Sequence, residues 1–152
     1  MSILSQIKSK ILKNKLNISV IGLGYVGLPV AFFFSNKFKV TGFDKNRDRI
    51  SALRKKTDNN SSFSTQQLKD CNIFFTSNYK DISKSDIFII TTPNPINKNK
   101  KPDLKFIFQA LNFIIQVGIK NKIIILESTV FPGASENIFI KYLENKTKFI
   151  VN

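Results

Sequence analysis

The sequence predicts a single α/β domain, a doubly wound parallel sheet with helices on both faces, and three observations carry that expectation. Short apolar runs alternate with stretches of helical periodicity, at an interval that suits right-handed crossovers between parallel strands. The first run, Ile18-Ser19-Val20-Ile21, ends in Gly22-Leu23-Gly24-Tyr25-Val26-Gly27, a Gly-x-Gly-x-x-Gly turn that opens a helix. The second run, Lys39-Val40-Thr41-Gly42-Phe43, ends in an acid, Asp44. Strand, glycine turn, helix, strand and terminal acid in this order make the fingerprint of a dinucleotide-binding site. Gly22 permits the tight turn off the strand, Gly24 leaves room for a pyrophosphate, and Gly27 lets the helix pack closely on the strand. The helix dipole and its first N–H groups then face the phosphates.

Each element follows from its residues. Ile3, Leu4, Ile7, Ile11 and Leu12 recur at near-helical spacing among Ser, Gln and Lys, an amphipathic helix within residues 1–15. Its stripe is short, which suits packing on the body of the protein or on a second subunit better than attachment to a membrane. Residues 17–21 read as a strand buried on both faces, apolar almost throughout. A helix over 28–36 carries Pro29 in its first turn, where a missing N–H costs nothing. Residues 39–44 are the second strand, and residues 47–55 a helix with Ile50 and Leu53 facing inward. A polar loop over 57–64, a helical turn over 65–69 and a strand over 73–76 follow.

A short helical connection over 81–84 leads to a strand over 87–92, which runs into Pro93-Asn94-Pro95. Two prolines around a polar residue fix a rigid loop at the strand's carboxyl end, the edge where open α/β sheets bind ligands. A polar, basic loop over 97–101 precedes a helix that starts at Pro102-Asp103. Its stripe is Leu104, Ile107, Phe108, Leu111, Ile114 and Ile115, and it ends near Gly118. After a strand over 122–126, the segment Glu127-Ser128-Thr129-Val130-Phe131-Pro132-Gly133 brings hydroxyl groups to the same edge. A helix over 134–145 and the start of a strand at 149–151 complete the pattern.

Composition narrows the function. The chain has 152 residues and 42% hydrophobic content, enough for one core, and no apolar run long enough to span a bilayer. One cysteine, Cys71, and no histidine exclude a disulfide framework and disfavour a zinc site or a Cys/His catalytic pair; they fit a reducing, cytoplasmic setting. The formal charge of +14 invites a nucleic-acid reading. The basic residues are nevertheless scattered, and Lys, Asn, Ile and Phe are over-used throughout, as a nucleotide bias would produce. No nucleic-acid partner is expected. Asp44 favours NAD over NADP, because a carboxylate repels a 2′-phosphate; the nearby Lys45, Arg47 and Arg49 blunt that inference.

Together these residues resemble a known family. Ile21-Gly22-Leu23-Gly24-Tyr25-Val26-Gly27-Leu28-Pro29, Gly42-Phe43-Asp44 and the Arg49-Ile50 pair look like the amino-terminal, Rossmann-type domain of the UDP-glucose/GDP-mannose dehydrogenases. So do Thr92-Pro93-Asn94-Pro95, Lys101-Pro102-Asp103-Leu104 and the Glu127 to Gly133 segment. The motifs keep the family's order from about residue 16 onward, so residues 16–152 read as the NAD-binding domain. Their wording is similar to the branch acting on UDP-N-acetylhexosamines, such as those feeding capsule or O-antigen synthesis. The resemblance implies NAD-dependent, two-step oxidation of a sugar C6 hydroxyl to a carboxylate. It assigns cofactor contacts to Gly22, Gly24, Tyr25, Val26, Gly27, Asp44, Arg49, Pro93 and Thr129.

The departures matter as much. Family members are much longer and carry the catalytic cysteine, with its assisting lysine, asparagine and aspartate, in segments that have no counterpart here. The resemblance therefore places no catalytic residue in this chain. It implies a UDP-sugar substrate only with the missing domains, inactivity alone, and leaves a homo-oligomer open. Asn94 stands where a cofactor-contacting threonine is usual, and Asn60 and Ser62 replace the family's Thr and Glu. Cys71 lies in the wrong part of the pattern to be the nucleophile. The alternative is a degenerate Rossmann module retained for nucleotide binding or assembly.

Overall fold

The structure is a computed structural model, and it describes residues 3–96 and 102–150. Five parallel strands form one sheet in the order β3-β2-β1-β4-β5, where β1 is Asn17–Ile21, β2 Lys39–Phe43, β3 Ile73–Thr76, β4 Ile87–Ile90 and β5 Ile123–Leu126. The strand order reverses direction beside β1, which lies between β2 and β4. The register aligns Ile21 with Phe43 and Ile90, and Phe43 with Thr76, so the carboxyl ends of the strands form one edge.

Alternation along β1 divides its side chains between two cores. Ile18 and Val20 join Leu28 and Ala31 of α2 (Gly27–Ser35) and Ile50 and Leu53 of α3 (Arg47–Arg54) on one face. Ile21 joins Phe88, Ile90 and the Ile107, Leu111, Ile114 stripe of α5 (Lys105–Val117) on the other. Burying each such aliphatic side chain is worth about 1.5–3 kcal/mol, and the apolar runs are continuous because both faces are covered.

The helix ends have local causes. Asn46 caps α3 by accepting from the Asp48 and Arg49 amides. Ser64 and Gln67 form a reciprocal capping box at the start of α4 (Thr65–Asp70). Gly118, at φ 92°, stops α5. The connection read from sequence at 81–84 is a 3₁₀ turn at Tyr79–Ile82, and the last helix begins as a π-helical stretch, Ser135–Ile140, before α6 (Lys141–Thr147).

At the opposite edge of the sheet α1 (Ile3–Leu12) is docked by Ile7 and Ile3 against the first core. Lys10 pairs with Asp86, which also accepts from the Asn17 amide at 3.0 Å. Leu4 and Leu12 remain exposed.

One expected element is corrected. Residues 149 and 150 form no strand: Lys148 ends α6 in the left-handed region at φ 59°, and the turn carries Phe149 and Ile150 to an apolar groove beside the uncovered edge of β5. Residue 151 and the basic loop at 97–101 lie outside the described residues. The groove, about 800 Å³, is lined from one face by α1 and from the other by Leu111, Phe139 and Leu143.

Candidate functional site

A cleft of about 290 Å³ opens at the carboxyl edge of the sheet, between the ends of β1 and β2 and the helix that follows β4. This is the switch point of the strand order, where open α/β sheets hold their ligands.

The glycine turn forms its floor. Gly22 adopts φ 96°, a conformation that L-residues rarely take, and its amide donates to Phe43 O at 2.8 Å. Gly27 opens α2 in closest contact with the turn: a Cβ there would lie 1.7 Å from Gly22 O and 2.4 Å from Thr91 Oγ1. A Cβ on Gly24 would meet nothing within 4 Å, so the space over this residue is open to a ligand. Val26, the N-cap residue of α2, makes no side-chain capping hydrogen bond. Its dipole and amides therefore suit an anion above the turn.

Leu23, between the glycines, anchors the turn with every group it has. Its side chain is fully buried and packs where Gly42 leaves space. Its amide donates to Asp44 Oδ2 at 2.9 Å, and its carbonyl accepts from Arg49 Nε at 2.9 Å. Asp44 Oδ1 accepts from the Asn46 amide at 2.9 Å. Each carboxylate oxygen retains a lone pair for a further donor such as a ribose hydroxyl.

Arg49 is buried beneath this arrangement and is held by Asp58 through Nη1 at 2.7 Å. Asp58 also accepts from the amides of Asn60, Ser62 and Phe63, so one carboxylate organises the loop that brings Asn60 to the cleft. Burial pushes the Asp58 carboxyl up, but the Arg49 hydrogen bond and the loop amides outweigh it and hold it below the usual carboxylate value.

On the β4 side, Thr91 Oγ1 shares its proton between Ile21 O at 3.1 Å and Gly22 O at 2.7 Å, tying the two strand ends together. Ser128 Oγ donates to Thr92 O at 2.7 Å, and Asn94 Nδ2 donates to Thr129 O at 2.7 Å. The loops after β4 and β5 are thus joined. The wall formed by α5 is more apolar, with Phe106, Ala110 and Phe113 facing the cleft beside Lys45 and Gln109.

Of the residues singled out from sequence, the cleft lining brings together Gly22, Gly24, Asp44, Arg49 and Pro93. Gly27 lies directly under the turn. Tyr25 and Val26 are exposed at its outer side, 73% and 52%, and Thr129 is exposed on the loop that Asn94 reaches. Sequence reasoning passed over Leu23, Asp58, Thr91 and the α5 wall. Cys71 is half-buried away from the cleft lining, with Sγ donating to Leu68 O.

Two buried polar atoms of the lining residues, Arg49 Nη2 and Thr92 Oγ1, have no hydrogen-bond partner among the described residues. A buried donor left unpaired costs about 1–3 kcal/mol, which a ligand acceptor would recover. Orphaned donor, open space over Gly24 and a strand-end carboxylate fit the phosphate and ribose of a dinucleotide. Among the described residues no group of three or more His, Cys, Asp or Glu could hold a metal ion, and no helix is long and apolar enough to cross a membrane.

Comparison with known proteins identifies the kind of domain. Residues 16–151 match the model of the UDP-glucose/GDP-mannose dehydrogenase family, NAD binding domain. The chain is 46% identical to Protein CapL of Staphylococcus aureus over 84% of its own length and 30% of that protein's. It is 43% identical to the UDP-N-acetyl-D-glucosamine 6-dehydrogenase of Pseudomonas aeruginosa, over 85% and 31% respectively. The solved UDP-D-ManNAc dehydrogenase of Pyrococcus horikoshii superposes with a TM-score of 0.83 at 28% identity, covering 90% of this chain and 34% of that one. The chain thus spans about a third of the length of the relatives it matches.

Proposed function

The chain belongs to the UDP-glucose/GDP-mannose dehydrogenase family, as its NAD-binding domain, and from that premise we propose that its cleft holds NAD for the oxidation of a UDP-sugar at C6. The observation that carries the reading is the juxtaposition of the open space over Gly24 with Asp44 and the unpaired Arg49 Nη2 in one cleft. In this reading the pyrophosphate lies over Gly24, against the amides of Tyr25 and Val26. Asp44 and Arg49 receive the adenosine ribose, and Pro93 and Thr129 border the nicotinamide end. When bound, NAD supplies the hydride acceptor. The residues of this chain bind and orient it, and the Thr91 and Leu23 contacts keep the turn in a binding geometry.

The substrate class is a UDP-N-acetylhexosamine, as the names of the relatives suggest, and the product a uronic acid precursor of surface polysaccharide made in the cytoplasm. Hydride transfer needs the sugar held at near-attack distance from the nicotinamide, and the matched third of the relatives supplies the cofactor side of that encounter. The polypeptide by itself binds NAD without turning over UDP-sugar. Calorimetric titration with NAD tests this, with Asp44→Ala as the comparison. Saturable binding weakened by the substitution is expected; folded protein that gives no heat would sink the proposal.

A second reading, a nucleotide-binding assembly module, draws on the apolar groove beside β5. An uncovered edge strand is a ready site for another chain, and a second copy could occupy it. Co-purification of a specific protein partner without any response to NAD would favour this reading.

A further inference from the structure

Asp44 is followed at once by a group of opposite charge. Lys45 is exposed, yet its ammonium is not left at the ribose end of the cleft. Nζ donates to Gln109 Oε1 at 2.8 Å and stands 4.7 Å from the centre of the Phe106 ring. Phe106 and Gln109 are three residues apart on α5, hence on one helix face, and both line the cleft with Lys45. The fold therefore separates two neighbouring charges. Asp44 is turned to the glycine turn by the Leu23 and Asn46 amides, and Lys45 is drawn across to α5.

The separation has a chemical consequence. A carboxylate at the end of β2 repels a ribose 2′-phosphate, whereas a lysine ammonium on a flexible stem is a good ligand for one. Were Lys45 released, it would offset Asp44 at the one position where NAD and NADP differ. We propose that Gln109 and Phe106 tether Lys45 away from the ribose 2′ position, and that this tether sets the selectivity of the cleft for NAD over NADP. The proposal rests on the reading of the cleft as the NAD site.

The test is the ratio of NAD to NADP affinity, measured by calorimetry on the full chain and on Gln109→Leu, Lys45→Ala/Gln109→Leu and Arg47→Ala. Leucine is a good helix former and cannot accept the Lys45 hydrogen bond, so Gln109→Leu should fold, as circular dichroism would verify. Gln109→Leu should shift the ratio about tenfold toward NADP, the equivalent of one modest charge-assisted hydrogen bond. The shift should vanish in the double variant, because it acts through Lys45. Arg47 does not line the cleft, and Arg47→Ala should leave the ratio unchanged. A ratio unmoved by Gln109→Leu, or a shift that persists without Lys45, overturns the tether while leaving NAD binding intact. A wild-type chain that binds neither nucleotide instead overturns the reading of the cleft, and the tether with it.

Discussion

Alanine at Gly24 and at Gly27, three residues apart in one turn, should impair different properties, binding at the first and stability at the second. At Gly27 the added methyl would sit 1.7 Å from Gly22 O and 2.4 Å from Thr91 Oγ1, and the first of these neighbours is backbone that cannot swing aside. Relief requires α2 to lift off β1 or the Thr91–Gly22 hydrogen bond to break. Overpacking plus a lost buried hydrogen bond costs about 3 kcal/mol. For a chain of this size that lowers the unfolding midpoint by about 6–12 °C. At Gly24 the methyl meets nothing, so stability should stay within about 0.5 kcal/mol of the parent. The same methyl takes the space assigned to the pyrophosphate, so NAD affinity should fall at least about tenfold, or 1.4 kcal/mol. Thermal unfolding and NAD titration on the two variants separate fold from function. A Gly24→Ala chain that binds NAD like the parent would show that the phosphates do not lie over this turn. A Gly27→Ala chain of parental stability would show that the close contact is not what holds α2.

Further outcomes follow from other contacts. Thr91→Val keeps the shape and removes the shared hydrogen bond to Ile21 O and Gly22 O, so urea unfolding should show a loss of about 1 kcal/mol. The Asp58 and Asp86 carboxyls are both held below 3.8: burial opposes this, but Arg49 and Lys10 respectively, with backbone amides, outweigh it. Their contribution is therefore fully present above the ordinary carboxylate value and is lost as pH falls through the lower folded one. Asp58→Asn should flatten the acid limb of a stability–pH profile measured by urea unfolding, and an unchanged limb would remove Asp58 from that account. Leu4 is 70% exposed beside the groove at β5. If a second copy covers that groove, Leu4→Lys should reduce concentration-dependent association in light scattering without lowering stability.

Much of the fold was legible because its signals are local. A parallel strand covered on both faces must be apolar at nearly every position, and β4 is, while β1 departs from this only at Asn17 and Ser19. Gly118 and the Gly22 turn require a backbone that few residues adopt. The cleft lining was legible only near the strand ends. Phe106, Gln109 and Phe113 fall off the Ile107, Leu111, Ile114 stripe, and periodicity alone assigns such residues to solvent; here they wall the cleft because α5 lies across the switch point. Asp58 read as one polar residue in a turn-rich loop, and its importance comes from reaching Arg49, nine positions back. Leu23 looked like filler between glycines, although an apolar residue there, opposite Gly42, was the available signal. The strand expected at 149–151 had suitable composition, but at residues 149 and 150 the left-handed turn at Lys148 directs the chain elsewhere.

Both walls of the cleft are fastened into the body of the fold. The β1 turn and the end of β4 are fastened to each other through the Thr91 hydroxyl and wedged by the Gly27 contact. The α5 wall meets the end of β2 through the second core, where the Phe113 and Phe43 rings stand 5.2 Å apart, edge to face, and also through Lys45 with Gln109 and Phe106. Widening the cleft would break this ring contact as well as the Lys45 contacts. The cleft is a pre-shaped slot: whatever enters it meets walls already set by the packing of the sheet.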